Sequence, residues 1–264
     1  MPRKKLKDVQ NEPANHHVEV DKVGVKNVKY PIVVRDKAKR EQHTIADINM
    51  YVNLPHRFRG THMSRFIEVL NKHRGRMSMQ NMDDLLHEVE KALDADSAYL
   101  EMSFPYFVEK AAPISGARSL TEYQCKFIAF HKESLDFVLE VNVPVTNLCP
   151  CSKEISEHSA HNQRSLVTVQ LKFKEFVWIE DVVALVEDSA SCELYSLLKR
   201  EDEKYVTEKA YSRPMFAEDV VREIAQKLDS DPNITWFTVA SENYESIHNH
   251  NAYAFIEKKA PKLA

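Results

Sequence analysis

The chain has 264 residues, 43% of them hydrophobic, and a formal net charge of −4. That is enough for one large domain or two of ordinary size, and it lacks the basic surplus of a nucleic-acid binder. No run approaches the ~20 apolar residues that span a bilayer, and no apolar segment follows the basic Arg3-Lys4-Lys5 and Lys7, so neither a membrane nor a secreted protein is expected. Four glycines leave no GxGxxG and no Walker loop. Four cysteines are too few for a disulfide scaffold in a chain this long, so the cytoplasm is the expected location, with cysteine used for packing, metal or nucleophilic chemistry.

Residues 1–22 are polar and read as a flexible tail. Residues 23–34 look extended, and Ile48, Met50, Val52 and Leu54 alternate with Asn49, Tyr51 and Asn53 as in a half-buried strand. Thr61 to Lys72 predicts a helix with Met63, Phe66, Ile67 and Leu70 on one face. A second helix over 79–93 carries Met82, Leu85, Leu86, Val89 and Leu93 at helical spacing. Extended runs follow at 98–110 and 120–131, and then a turn at 131–134. Leu135, Phe137, Leu139, Val141, Val143 and Val145 next alternate strictly, as do Val167, Val169, Leu171 and Phe173. Helical patterns are expected at 178–199 and 214–229, the latter with Pro214 suited to a first turn, and strands at 233–241 and 251–257. The order β-β-α-α-β-β thus occurs twice, as modules 23–133 and 134–264, repeated in pattern without matching residue identities. Antiparallel strands with paired helices on one face predict an α+β fold.

The chemistry concentrates where two strands of the second module meet. Cys149-Pro150-Cys151, His158 and His161-Asn162-Gln163-Arg164-Ser165 place a thiol and imidazoles within a dozen residues. They could hold a transition metal with an open position for water; a surface loop with a free thiol and ordinary histidines is the competing reading, since no zinc-finger spacing is present. Cys125 and Cys192 sit in periodic segments and read as small core residues. A catalytic metal usually takes three protein ligands, and Glu203 is a candidate third, although a solvated acidic turn over 200–205 is the plainer reading. Residues 242–251, with Glu245, His248 and His250, could shuttle protons or simply form a polar hairpin loop. The run 54–65 places Arg57, Arg59, His62, Ser64 and Arg65 at a helix start, where phosphate or a plain cap would fit.

Read together, Asn142–Ser156, His161–Ser165, Asn53–Arg57 with Gly60–Arg65, and Glu242–Asn251 resemble the type IB GTP cyclohydrolase I family, over nearly the whole chain after the tail. The resemblance implies a tunnelling fold of two tandem modules, completed into barrels across subunits, and a homotetramer with active sites at its interfaces. It implies GTP as substrate and 7,8-dihydroneopterin triphosphate and formate as products, the first step toward folate, with a branch to 7-deazaguanine nucleosides in some bacteria. The family's metal ligands fall on Cys149, His161 and Glu203, and its purine-anchoring carboxylate falls on Glu218, where the acid also suits a helix N-terminus. One divalent ion per active site is implied, and the mixed S/N/O set admits Zn²⁺, Mn²⁺ or Fe²⁺. Glu245, His248 and His250 are the expected proton carriers, and Arg57, His62, Ser64, Arg65 and Arg164 the candidates for the triphosphate. Cys151 is expected to support the site rather than act as a nucleophile. Rival readings are a tunnelling-fold nitrile reductase with NADPH and a cysteine nucleophile, and a non-catalytic purine- or metal-binding protein of the same fold.

Overall fold

A computed structural model of the chain describes residues 9–259 apart from 11, 15 and 76, so the basic cluster of Arg3 to Lys7 lies outside the described residues. Two compact units emerge, Met1–Phe104 with Lys126–Phe137, and Pro105–Cys125 with Val138–Ala264.

In the first unit, β1 (Val20–Asp36) and β2 (Arg40–Leu54) form a long antiparallel hairpin, and β3 (Ala98–Ala111) pairs with β2 through Ile48–Met102 and Met50–Leu100. The alternation seen in the sequence is that of the buried face: Ile48, Met50, Leu100 and Met102 are fully buried. Helices α1 (Met63–Lys72) and α2 (Met82–Leu93) bury Phe66, Val69 and Leu70, and Leu85, Leu86 and Val89, respectively. Each such side chain contributes about 1.5–3 kcal/mol when fully buried. β2 begins eight residues before the alternating run, because the outer part of the hairpin is largely exposed and lacks the in–out hydropathy contrast. Gly24 is required where β1 bulges: a Cβ there would lie 2.0 Å from the Met50 carbonyl oxygen. β3, β4 (Arg118–His131) and β5 (Leu135–Leu148) each have residues in both units.

The second unit continues with β5 (Leu135–Leu148), α3 (Pro150–Ile155), β6 (Asn162–Phe173), α4 (Ile179–Glu187), β7 (Cys192–Glu193), α5 (Arg200–Ser212), α6 (Ala217–Asp229), β8 (Ile234–Asn243) and β9 (Ala252–Lys259). Strand order is β3-β4-β5-β6-β8-β9, with β7 beside β5. α6 buries Val220, Val221, Ile224, Ala225 and Leu228 and packs on β8 and β9.

Two expectations are corrected here. The helix expected at 178–199 ends at Glu187, where the Ser189 hydroxyl donates to the Leu185 carbonyl at 2.7 Å and the chain turns into β7. Residues 200–212, read partly as an acidic turn, form α5. That helix buries only Asp202 and Ala210, so no apolar stripe announces it. Polar anchors hold it instead. The buried Asp202 carboxylate accepts from the Ile114 and Ser115 amides at 2.8 and 2.9 Å, the Ser115 hydroxyl at 2.6 Å and the Lys199 amide at 2.8 Å. Burial opposes its charge, but the bonds from Ser115, Lys199 and Ile114 outweigh it and hold the carboxyl well below the ordinary range. Glu193 of β7 behaves alike: burial raises its pKa, yet bonds from Lys209 and from the Tyr195 hydroxyl (2.6 Å) bring it to about 2.

One end of the second unit departs from an apolar interior. The inward rows Leu139-Val141-Val143-Val145 of β5, Val167-Val169-Leu171 of β6 and Phe237-Val239 of β8 switch to Asn147, Ser165, Ser241 and Asn243, all at most 3% exposed. The Asn147 amide donates to the Ser165 hydroxyl (2.9 Å), which donates to the Asn243 side-chain oxygen (2.7 Å). The Asn147 oxygen accepts the Ser191 amide at 3.3 Å, and the Ser191 hydroxyl accepts the Leu148 amide at 3.1 Å.

Asn147→Ala strands these partners and is expected to cost about 1–3 kcal/mol in urea unfolding, with an unchanged denaturant slope; wild-type stability would show the row to be dispensable. The depressed Asp202 carboxyl contributes stability that is complete above the ordinary value of 3.8 and is lost as pH falls below it. Asp202→Asn should therefore lower the thermal midpoint near neutrality and flatten its fall between about pH 4 and about pH 2; a wild-type acid profile in the variant would contradict this.

Candidate active site

The β5–β6 ladder closes at Leu148–Asn162, and the next two residues facing each other are Cys149 and His161, joined by the Cys149 amide donating to the His161 carbonyl at 3.1 Å. Ser152 in α3 clasps them. Its hydroxyl donates to the Cys149 carbonyl (3.2 Å) and accepts the His161 amide (3.2 Å), while its own amide donates to Cys149 Sγ (3.4 Å). Pro150 at the start of α3 leaves no amide donor there, and Cys149 caps that short helix. The sequence thus delivers a thiol and an imidazole to one rigid strand end.

Gln163 sets the state of that imidazole. Its Nε2 lies 3.3 Å from Glu245 Oε1 and its Oε1 lies 3.0 Å from His161 Nδ1. An ionised carboxylate only accepts, so the amide nitrogen must face Glu245 and the amide oxygen must face His161. A neutral His161 with Nδ1 donating to that oxygen keeps its lone pair on Nε2, the nitrogen it can offer a metal ion. Ser246 Oγ, 3.4 Å from the same Nδ1, and the Tyr244 amide donating to the Arg164 carbonyl at 2.9 Å hold the β8–β9 loop against the start of β6. The structure thus joins Cys149 to His161 through the backbone, and His161 to Glu245 through Gln163. His248 and His250 lie on the exposed part of that loop, their rings stacked at 5.2 Å. Arg164 is exposed on β6.

Glu218 stands exposed in the first turn of α6, and the lead-in to that helix is tied to the site by the Met215 amide donating to the Leu148 carbonyl at 3.0 Å. Glu203 is exposed in the first turn of α5, next to the pinned Asp202. Among the described residues, one group of three His, Cys, Asp or Glu side chains has donor atoms within 4.8 Å of one another: His87, Glu90 and His131, in the first unit. Cys149, His161 and Glu203 are not such a group in this conformation. The remaining candidates also belong to the first unit. His62 occupies the N-cap position of α1 without a side-chain capping bond, Ser64 is exposed, the Arg57 guanidinium lies 5.0 Å from the Phe58 ring centre, and Arg65 donates to the Ala92 carbonyl at 2.8 Å.

Sequence reasoning passed over Gln163 and Asn147. Asn147 could have been found, because it continues the register of Val141, Val143 and Val145 where an apolar side chain is due. Gln163 could not, since its meaning lies in what its two ends touch.

The family described as "Type I GTP cyclohydrolase folE2" matches residues 6–254. GTP cyclohydrolase FolE2 of Syntrophus aciditrophicus is 58% identical over 253 residues, covering 96% of this chain and 99% of that protein. The enzyme of the same name from Syntrophotalea carbinolica is 57% identical over 252 residues (96% and 95%), and that of Nitrosomonas eutropha 52% over 259 (97% and 97%). Among solved structures, uricase from Arthrobacter globiformis superposes with a TM-score of 0.52 at 10% identity, covering 92% of this chain and 96% of that one. That likeness concerns the fold alone, the α+β tunnelling fold. With its strand-end thiol and imidazole and with this identity along nearly its whole length, the chain belongs to the FolE2 family of type I GTP cyclohydrolases.

Proposed function

We propose that the Cys149–His161 end of β5 and β6 is where this chain carries out its GTP cyclohydrolase I reaction, in the type IB manner. The enzyme converts GTP and water to 7,8-dihydroneopterin triphosphate and formate, the first step of tetrahydrofolate biosynthesis. The observation that carries the assignment of the site is the Glu245–Gln163–His161 chain, which leaves the lone pair on Nε2 of the residue that faces Cys149 across the strand ends. Thiolate and imidazole in that position suit a borderline-soft divalent ion, and the exposed Glu203 would supply the third ligand. Bound there, Zn²⁺, Mn²⁺ or Fe²⁺ would bring the pKa of a water from about 16 to near 7 and so provide hydroxide at neutral pH.

The chain's own residues do the rest. Glu218 accepts from guanine N1–H and the 2-amino group, a pairing that adenine cannot offer. Attack at C8, opening of the imidazole ring, expulsion of formate and reclosure into the pterin all require protons at purine nitrogens. Glu245, His248 and His250, on one loop, serve as the acids and bases. Arg164 holds the triphosphate, with Arg57, His62, Ser64 and Arg65 as the first unit's candidates. The modules 23–133 and 134–264 complete barrels across a homotetramer. The exposed Tyr253 and Phe255 beside Thr168, Gln170 and Thr238 supply a face that a second copy would cover. A reducing cytoplasm keeps Cys149 a thiol; all four cysteines are free in the structure.

Cys149→Ala should abolish metal binding at this site and formate release from GTP while the oligomer persists; pterin fluorescence after oxidation and metal analysis read both. Turnover retained with full metal content would remove Cys149 from the ligands. Gln163→Leu should weaken metal affinity about 10–100-fold in a chelator competition, by freeing the His161 tautomer; an unchanged affinity would show that Gln163 does not set it.

A further inference from the structure

We propose that His87, Glu90 and His131 of the first unit form a second divalent-metal site, separate in composition from the Cys149 set. Asp83, His87 and Glu90 fall at i, i+4 and i+7 on α2 and so share one stripe of the helix, while His131 ends β4. One donor atom from each of His87, Glu90 and His131 lies within 4.8 Å of the other two. Glu90 is central: Oε1 is 2.8 Å from His131 Nδ1, and Oε2 is 3.9 Å from His87 Nδ1. On the far side of the His131 ring, Nε2 lies 3.6 Å from Asp83 Oδ1. The His87 and His131 rings stand edge to face with centroids 5.9 Å apart.

Glu90 and His131 are buried, 9% and 8% exposed, in positions fixed by a helix and a strand. His87 is exposed. Ligands at about 2.0–2.2 Å from a tetrahedral ion stand roughly 3.4 Å apart, so a small rotation of His87 closes the set. Two imidazoles and a carboxylate suit Zn²⁺ and its neighbours, water completes the shell, and Asp83 on the opposite ring nitrogen is the outer carboxylate partner that a ligating imidazole takes. With both carboxylates included, the charge of the ion is balanced at the rim of an otherwise apolar core. Such an ion would rivet α2 to the end of β4. The alternative is a plain His131–Glu90 hydrogen-bonded pair with no affinity for metal.

Co²⁺ separates the two sites, because a Cys149 thiolate gives a sulfur-to-cobalt charge-transfer band and a His/Glu site gives ligand-field bands alone. Full-length protein is stripped with a chelator and titrated with Co²⁺, with stoichiometry measured by equilibrium dialysis. Cys149→Ala is expected to retain one equivalent without the thiolate band. His87→Ala, at an exposed position that tolerates truncation, and Glu90→Gln should each keep the thiolate band and weaken the other equivalent about 10-fold or more. In the Cys149→Ala background, Co²⁺ should raise the thermal midpoint, and adding His87→Ala should remove that rise. The proposal is overturned if Cys149→Ala binds no Co²⁺, or if its remaining equivalent is indifferent to both His87→Ala and Glu90→Gln. Absence of the thiolate band in the wild type, with the second equivalent present, would instead strike only the Cys149 assignment and support this one.

Discussion

A buried amide must have its hydrogen bonds, and the second unit is arranged around that requirement. Asn147 is sealed from water, and its partners come from β6, from the segment after α4 and from Asn243 of β8, which Ser165 also bonds. An apolar row in the same place would tolerate a strand shifted or tilted, since dispersion contacts have little direction. A polar row does not, because each misplaced partner leaves a buried donor or acceptor stranded. The ends of β5, β6 and β8 are therefore fixed relative to one another immediately below Cys149 and His161. The interior trades apolar burial for orientation directly beneath the proposed site.

The same logic passes outward, one bond at a time. Glu245 dictates which end of Gln163 it meets, Gln163 dictates which His161 nitrogen is protonated, and the remaining nitrogen is the one available to an ion. Ser152 ties the Cys149 and His161 backbones into one unit, so the two donors move together if they move at all. On the other flank, Asp202 and Glu193 hold a helix that has almost nothing apolar to bury. Each is a carboxylate whose charge is worth keeping only because its partners are already in place.

Much of this was legible in the sequence wherever burial and periodicity coincide. Strands β3, β5 and β8 and helices α1, α2 and α6 have one wet side and one dry side, and alternation or helical spacing reports that directly. α5 was invisible for the converse reason: a helix held by side-chain bonds to a distant turn at Ile114 and Ser115 leaves no periodic trace. The family resemblance named Cys149, His161, Glu203 and Glu218, but residue spacing alone left a metal loop and an ordinary loop both open. Only coordinates show that Cys149 and His161 end facing strands, and that Gln163 is the link between histidine and acid. The His87, Glu90 and His131 group was hidden in another way, since its third member comes from a strand some forty residues further along the chain.

The four thiols divide sharply by environment. Burial pushes the Cys125 thiol far up, and burial with the neighbouring Glu193 pushes Cys192 up to about 12, so both remain protonated and shielded. Cys149 is half-buried and Cys151 exposed, with a single proline between them. Peroxide or an alkylating electrophile therefore meets Cys151 and Cys149 before it reaches the two core thiols, and oxidation there would strike the proposed site long before it loosened the fold.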